Sequence, residues 1–516
     1  MQGIRHGFHI VDSSSPPTVA HMPNYRSATT APAASLVEAQ IRTEISEGRY
    51  KIVDKPPNLI SALGAIPKPN SSGIRLIHDC SQPRGQAVND YAPLGHKLTY
   101  QSMDDAVELL VQGGYSARVD LQSAYRSVEI HNDDLAFTGL MWQFQGQNKP
   151  TYMLDTRLPF GSRLAPGIFH RLTQAVRRMM QKRGFNVVAY LDDFFIHEST
   201  LERCSLAINE LICLLRELGF SINYNKVEGP ATKITFLGIV IDSVSFTLEL
   251  PKGKLDEFYV MLTQFASRKR ASLRQLQQLA GRLNWACQVV KGGRSYLRRI
   301  LDIIKPLKLS HHKAVLPPSF FADIHWWLQF LPVFNGTCIA LKYAPVNDVY
   351  IDASRSGSGF LFANDWGYCS WKWDFPAMQD FHINEMEIMS AVFAARRWAP
   401  YWANSRVVFH TDSITARAAL QKGTARSGRI MPYLQELFWW SAQFNFSIDA
   451  VYIPGRDNDT PDIISRLQQP GYLPTFVNLI GLPTTAMHYV VSMLPLHMSF
   501  YSLCSILPQI LKHSAY

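Results

Sequence analysis

Residues 187–197 read Val-Val-Ala-Tyr190-Leu191-Asp192-Asp193-Phe-Phe-Ile-His, and no other stretch constrains the fold as much. Apolar residues flank a short polar break on both sides, which predicts a tight β-hairpin with the two carboxylates at its tip. Asp is a common turn former, so such a pair taken alone is ordinary turn chemistry. A third carboxylate changes the reading. Residues 115–121 form a second predicted strand that contains Arg118-Val119-Asp120-Leu121. If it lies beside the hairpin, Asp120 joins Asp192 and Asp193. Three carboxylates that close repel one another unless cations neutralise them. Oxygen-only ligands suit magnesium or manganese.

The chain has 516 residues, enough for three or four domains, and its 47% apolar content can fill a sizeable core. A formal net charge of +10 suits a polyanionic partner. The seven cysteines are scattered singly, with no Cys-x-x-Cys pair. That excludes a zinc module of that type and a secreted disulfide framework, and it points to an intracellular setting, cytoplasm or nucleus.

Residues 1–35 are rich in Ser, Pro, Thr and Ala with little apolar periodicity, and read as a disordered leader. Short strands are expected around residues 60–66 and 74–79, with Lys68 and Arg75 on or beside them. Their charges are either solvated or a clamp on a nucleotide's phosphates. Tyr125 follows Asp120 by five residues, as a core aromatic or as the floor of a pocket beside the metals. Past the turn 158–167, Ile168, Phe169, Leu172, Val176 and Met179 recur at helical spacing, which is core packing. Gly161, in that turn, lets backbone approach a ligand where a side chain would clash. Residues 201–218 form an amphipathic helix closed by Gly219, followed by Lys226 in a turn and a strand over 234–242.

In this order, these stretches resemble the reverse transcriptases. The family's first metal-binding stretch matches residues 119–126, its template-contacting turn residues 158–169, and its Tyr-x-Asp-Asp hairpin Tyr190-Leu191-Asp192-Asp193. Its primer-gripping Phe-Leu-Gly matches Phe236-Leu237-Gly238. The wording of 75–79, 155–161 and 228–238 is most similar to the DIRS-like retrotransposons, whose transposases are tyrosine recombinases. Phe160 departs from the Gln of retroviral enzymes. The resemblance implies a right-hand polymerase, with fingers and palm over 36–250 and thumb-like helices over 251–310. It also implies two divalent ions on Asp120 and Asp192, with Asp193 a weaker ligand. Arg75, Tyr125 and Gly161 would meet the nucleotide, Lys226 would protonate the leaving pyrophosphate, and Tyr190 with 236–238 would touch primer and template. The basic helices at 255–299 would then grip phosphates without regard to sequence. Residues 311–346 read as a connector.

A second acidic set lies in 347–468. A strand ending on Asp352, two further strands, a helix with Glu385 and Glu387, a strand leading to Asp412, and a last helix with Asp462 predict a mixed sheet covered by helices. This resembles ribonuclease H, fused downstream as in retroelement polyproteins, so the chain as a whole reads as α/β and α+β multidomain. The four acidic positions are Asp352, Glu387, Asp412 and Asp462. Glu387 is chosen over Glu385 because the family helix reads Glu-x-x-x-Ala and Ala391 completes that spacing. Asn458 stands where many ribonucleases H use a mobile His. The resemblance implies two ions here as well, and an RNA template, a DNA primer, dNTPs and an RNA–DNA hybrid as partners, with other retroelement proteins beside them. Residues 469–516 are an apolar tail in which prolines interrupt any span, and no membrane partner is expected. The competing reading is a decayed or co-opted element that binds nucleic acid without catalysis, whose signature would be loss of a metal carboxylate. All seven positions are acidic.

Overall fold

The computed structural model describes residues 2–12, 19–68, 73–93, 98–332, 337–338, 344–472 and 475–476. The expected tail, 469–516, lies outside the described residues beyond 476. Two compact units divide at Leu237 and Gly238, somewhat before the expected boundary at 250.

The centre of the first unit is a four-stranded sheet. Its strands are β1 (Tyr115–Asp120), β2 (Val187–Tyr190), β3 (Asp193–Glu198) and β4 (Glu228–Ala231), in the order β4-β1-β3-β2. Ala117, Val119, Val187, Ala189, Phe194 and Ile196 bury one continuous core. Helix α1 (Ala165–Lys182) covers β2. Pro166 opens it, where a missing N–H costs nothing. Ile168, Phe169, Val176 and Met180 are its buried stripe, and Met179, expected on that stripe, is 43% exposed. One residue is a rotation of about 100°, so Met180 takes the inward position.

The described residues among 1–35 correct the expectation of a disordered leader. Ile10 and Val11 are buried, and both backbone N–H groups donate to Asp134 Oδ2. Ala20 and His21 pair in parallel with Leu59 and Ile60. Ala28 packs into the cluster formed by helix Ala33–Ser46 and the strands around it. Isolated apolar residues among Ser and Pro show no period, yet Ile10, Val11, Ala20 and Ala28 each find a buried slot, while Ile4 and Val19 stay exposed.

The second unit begins with helices Lys252–Ala266 and Leu273–Ala286. Residues 311–346 are more than a connector. Strand Lys313–Val315 pairs with Arg270–Ser272, and helix Pro318–Phe330 buries Trp327 completely. A mixed sheet follows: β5 (Val346–Ala353), β6 (Gly357–Phe362), β7 (Asp365–Ser370), β8 (Arg406–Thr411) and β9 (Ser447–Tyr452), in the order β7-β6-β5-β8-β9. The first three strands are antiparallel neighbours, while β8 and β9 run parallel to β5. Helix α2 (Ile383–Trp398) is buried nearly all round and lies against β5 and β6, and α3 (Asp459–Ser465) packs on β5 and β6. This is the mixed sheet the sequence predicts.

Candidate active sites: two carboxylate clusters

In the first unit, antiparallel pairing sets Asp193 of β3 opposite Asp120 of β1 and opposite Tyr190 of β2. The hairpin turn is Leu191-Asp192, so Asp193 opens the strand instead of sharing the tip. Leu191 has φ +51°, a left-handed conformation that side chains rarely adopt. The Asp192 carbonyl accepts from Leu121 N–H at 3.0 Å, which locks the turn to the end of β1. The Asp120 side chain is nearly buried. It accepts from Asn223 Nδ2 at 3.0 Å and from Lys226 Nζ at 3.1 Å on both oxygens. Burial pushes Asp193 up to about 6, with Asp192 and Asp120 adding repulsion. Asp192 is raised for the same first reason. The cluster is therefore short of positive charge, and the Lys226 ammonium pairs with Asp120.

A cavity of about 880 Å³ opens on Asp120, Asp192, Asn223 and Lys226. Arg75, Asp120, Tyr125, Phe160, Asp192 and Lys226 are among the residues that line it. Tyr125 lies 5.1 Å from the Phe160 ring and 5.5 Å from Phe169, and burial, then Asp192, pushes its hydroxyl up to about 12. Arg75 stands 6.0 Å over the Phe160 ring. Phe160, noted in the sequence only as a departure from the retroviral Gln, is thus part of the cavity wall.

Gly161 is required for a reason other than the one expected. Its φ is +147°, and a Cβ there would stand 1.8 Å from the His78 carbonyl oxygen. The close approach is to the neighbouring strand Ile74–Asp79, and His78 N–H donates to the Phe160 carbonyl at 2.9 Å. Phe236 also differs from its expected role. It is fully buried and stacks on Phe195 at 5.0 Å, so its side chain is core. Leu237 (φ +48°) and Gly238 (φ +80°) follow it in left-handed backbone. Arg298 and Arg299, expected among the phosphate contacts, pair with Asp302 and with the buried Asp323. The side chain of Lys291 lies outside the described residues.

The second cluster is tighter. Ligand oxygens of Asp352, Glu387 and Asp412 all come within 4.8 Å of one another, the sole such group of three or more potential metal ligands among the described residues. Asp352 is the next-to-last residue of β5. Ser390 Oγ of α2 donates to the Asp352 carbonyl at 2.9 Å, which sets Glu387, one turn earlier, beside it. Gly359 of β6 would clash through a Cβ with the Pro461 carbonyl at 2.3 Å, so its bare backbone lets α3 approach and brings in Asp462. Asp462 adds repulsion to Asp352 and Asp412, and Arg466 Nε binds it at 2.7 Å. Burial drives Asp352 up to about 7 and Glu387 well above its ordinary value, and it also raises Asp412. Asp352 Oδ2 and Glu387 Oε2 are buried without hydrogen-bond partners. Buried carboxylate oxygens with no donor fit a hard cation.

Glu385 is held elsewhere, by Ser427, Arg429 and the His382 N–H. Glu387 is the member of the cluster, as the Glu-x-x-x-Ala spacing indicates. Asn458 is no mobile group: it is buried, and its Nδ2 donates to the Ile351 carbonyl at 3.0 Å. Asn223, which grips Asp120, was invisible in the sequence, where an Asn in a turn has no distinguishing pattern.

Residues 42–241 match the family model described as reverse transcriptase (RNA-dependent DNA polymerase). That segment is a reverse transcriptase domain. The chain is 24% identical over 407 residues to the genome polyprotein of Petunia vein clearing virus, covering 76% of this chain and 17% of that protein. It is 23% identical over 451 residues to the Pol polyprotein from transposon 297 of Drosophila melanogaster, covering 84% and 38%. It thus spans a minor part of either relative. The foamy viral protease-reverse transcriptase solved in complex with dsDNA has a similar fold, with a TM-score of 0.56 at 16% identity over 86% of this chain and 87% of that one. The polymerase fold therefore covers most of this chain. No helix of the described residues is long and apolar enough to cross a membrane.

Proposed function

We propose that the chain is an RNA-directed DNA polymerase that extends a DNA primer on an RNA template from dNTPs. We further propose that its C-terminal domain is a ribonuclease H, an endonuclease acting on RNA in RNA–DNA hybrids. The observation that carries the first part is the register of Asp120 against Asp193, with Asp192 at the adjoining turn, and a cavity lined by Asp120, Asp192, Arg75 and Lys226. The Asp352, Glu387 and Asp412 group supports the second.

Asp120 and Asp192, with Asp193 as the weaker ligand, would hold two magnesium or manganese ions, and Asp352, Glu387, Asp412 and Asp462 a second pair. Such ions, when bound, lower the pKa of the attacking hydroxyl or water and neutralise charge on the phosphodiester. The protein's own groups do the rest. Lys226 balances Asp120 in the ion-free chain, and near the leaving pyrophosphate its ammonium is the proton donor. Arg75 offers a planar guanidinium to the triphosphate. Tyr125 forms the cavity floor under the sugar, held at its angle by Phe160 and Phe169, and excludes a 2′-hydroxyl. In the C-terminal domain the 2′-hydroxyl is what marks the RNA strand.

The chain would be one piece of a retrotransposon, working with other retroelement proteins in cytoplasm or nucleus. The resemblance of 75–79, 155–161 and 228–238 to the DIRS-like elements supports that subtype, and an adjoining tyrosine-recombinase reading frame would check it. Primer extension on poly-rA with magnesium, run beside hybrid cleavage, tests both activities. Extension without cleavage leaves only the first half standing. If neither activity is found in folded protein, the reading is overturned.

A further inference from the structure

We propose that Gln101 and Gln174 are positioning residues for DNA synthesis, clamping the free edge of the catalytic hairpin through the backbone of Ala189. The inference rests on the polymerase reading above and adds to it two side chains that no motif marks.

Strand β2 is the outer strand of its sheet. On an outer strand every second residue turns both its N–H and its C=O away from the ladder. Ala189 is fully buried, so its two groups need partners other than water. Both partners are side-chain amides. Ala189 N–H donates to Gln101 Oε1 at 2.9 Å, and the Ala189 carbonyl accepts from Gln174 Nε2 at 3.0 Å. Gln174 Nε2 also reaches Gln101 Oε1 at 3.3 Å, closing the ring. Arg177 Nε donates to Gln174 Oε1 at 2.7 Å, which fixes which end of that amide faces the strand.

The clamp is anchored on both sides. Gln174 sits on α1. Gln101 precedes helix Met103–Leu109, whose capping box holds the backbone beside it: Ser102 N–H donates to Asp105 Oδ2 at 2.7 Å, and Ser102 Oγ accepts from Asp104 N–H. Tyr100, next in line, places its ring 5.9 Å from Tyr190. Ala189 therefore has its N–H and C=O fixed three residues before Asp192, with strained Leu191 between them. A strained turn relaxes by rotating its strand, and the two amides oppose that rotation as a neighbouring strand would. An apolar pair could fill the same space, but it would leave both backbone groups without partners.

The test separates hydrogen-bonding from filling. In the full chain, Gln101→Leu removes the acceptor and Gln174→Leu the donor, while Gln101→Glu keeps an acceptor. Single-nucleotide addition with a saturating primer–template gives the maximal rate and the dNTP concentration for half of it. Each Leu variant is expected to lower the maximal rate about tenfold, the size of one buried unpaired backbone group. The half-saturating dNTP concentration should change less than the rate, and Gln101→Glu should recover most of the loss. Thermal unfolding of the same preparations reports the fold. The proposal is overturned if the Leu variants keep the wild-type rate, if Gln101→Glu is no better than Gln101→Leu, or if both Leu variants fail to fold. A wild-type chain that extends no primer sinks the polymerase reading instead, which is a different result from active wild type with active variants.

Discussion

The two carboxylate clusters solve one electrostatic problem in opposite ways. Around Asp120 the negative charge is spread along a strand pair, opens on a cavity, and is partly balanced by Lys226, whose own side chain is 55% exposed. Around Asp352 the carboxyls are packed within 4.8 Å, and two of their buried oxygens have no hydrogen-bond donor. The first arrangement stays open for a large, charged reactant and keeps a movable cation at hand. The second is a closed set of oxygens that is poorly tolerated in its charged form until a divalent ion arrives. An open site with an internal counterion should depend on the metal for chemistry. A closed site should depend on it for stability too.

The largest expected effect comes from separating the clusters genetically. Asp192→Asn should lower primer extension by about a thousandfold or more while hybrid cleavage persists, because the ion-binding charge cannot be replaced by an amide. Glu387→Gln should do the reverse. If either variant loses both activities while remaining folded, the two clusters are not independent sites. Glu385→Gln is the matched control: it removes the negative charge that pairs with Arg429 but leaves the cluster intact, so cleavage should survive.

The next effect is on stability against pH, and its sign is opposite to the usual carboxylate case. Asp352 is held at about 7 by burial, above its unfolded value, with Glu387 raised further. A carboxyl raised in the folded state contributes stability that is fully present below the unfolded pKa near 4. That contribution is lost as pH rises through the folded value. For Asp352 alone the span from about 4 to about 7 corresponds to at most roughly 4 kcal/mol. Thermal stability in chelator should therefore fall between about pH 4 and about pH 7, the interval set by those values, and magnesium should restore it at the upper end. Asp193 gives a narrower window, ending at about 6. Equal melting points at both pH values in chelator would remove the distinction between the clusters.

What the sequence shows and what it hides follow from the same contrast. Asp120, Asp192 and Asp193 are legible because apolar runs predict the strands that carry Asp120 and Asp193 and the turn that carries Asp192. Glu387 is legible because the Glu-x-x-x-Ala pattern of the resembled family selects it over Glu385. Residues 1–35 were not legible, since Ile10, Val11 and Ala28 bury singly against slots made by distant residues. Gly161 was visible as a special position, but only the structure shows that the group it approaches is the His78 carbonyl. Phe236 has the motif's identity and a core residue's surroundings. Gln101 and Gln174 have no signal at all, because an amide that serves a strand edge looks like any surface amide until the fold brings it there.

A smaller effect concerns substrate choice in the open site. Tyr125→Val should admit ribonucleotides, moving the ribo-to-deoxy ratio by about tenfold, the scale of one lost steric contact in a transition state. An unchanged ratio would remove Tyr125 from the floor of the nucleotide site.

The smallest effect distinguishes the clusters by strain. Leu191 lies at φ +51° within the first site, whereas none of Asp352, Glu387, Asp412 and Asp462 has a positive φ, nor do their immediate neighbours. A left-handed leucine costs about 1–2 kcal/mol, and Asn tolerates that conformation better. Leu191 is half-buried, so Leu191→Asn also gives up apolar contact, and the net gain should be only about 0.5 kcal/mol in urea unfolding. If the strain serves to hold Asp192 in place, the same variant should be slower in nucleotide addition and unchanged in hybrid cleavage. A variant that gains stability with full polymerase rate would mean that the turn's conformation is incidental. The placement of Asp192 would then come from the Leu121 hydrogen bond and the edge of β2 alone.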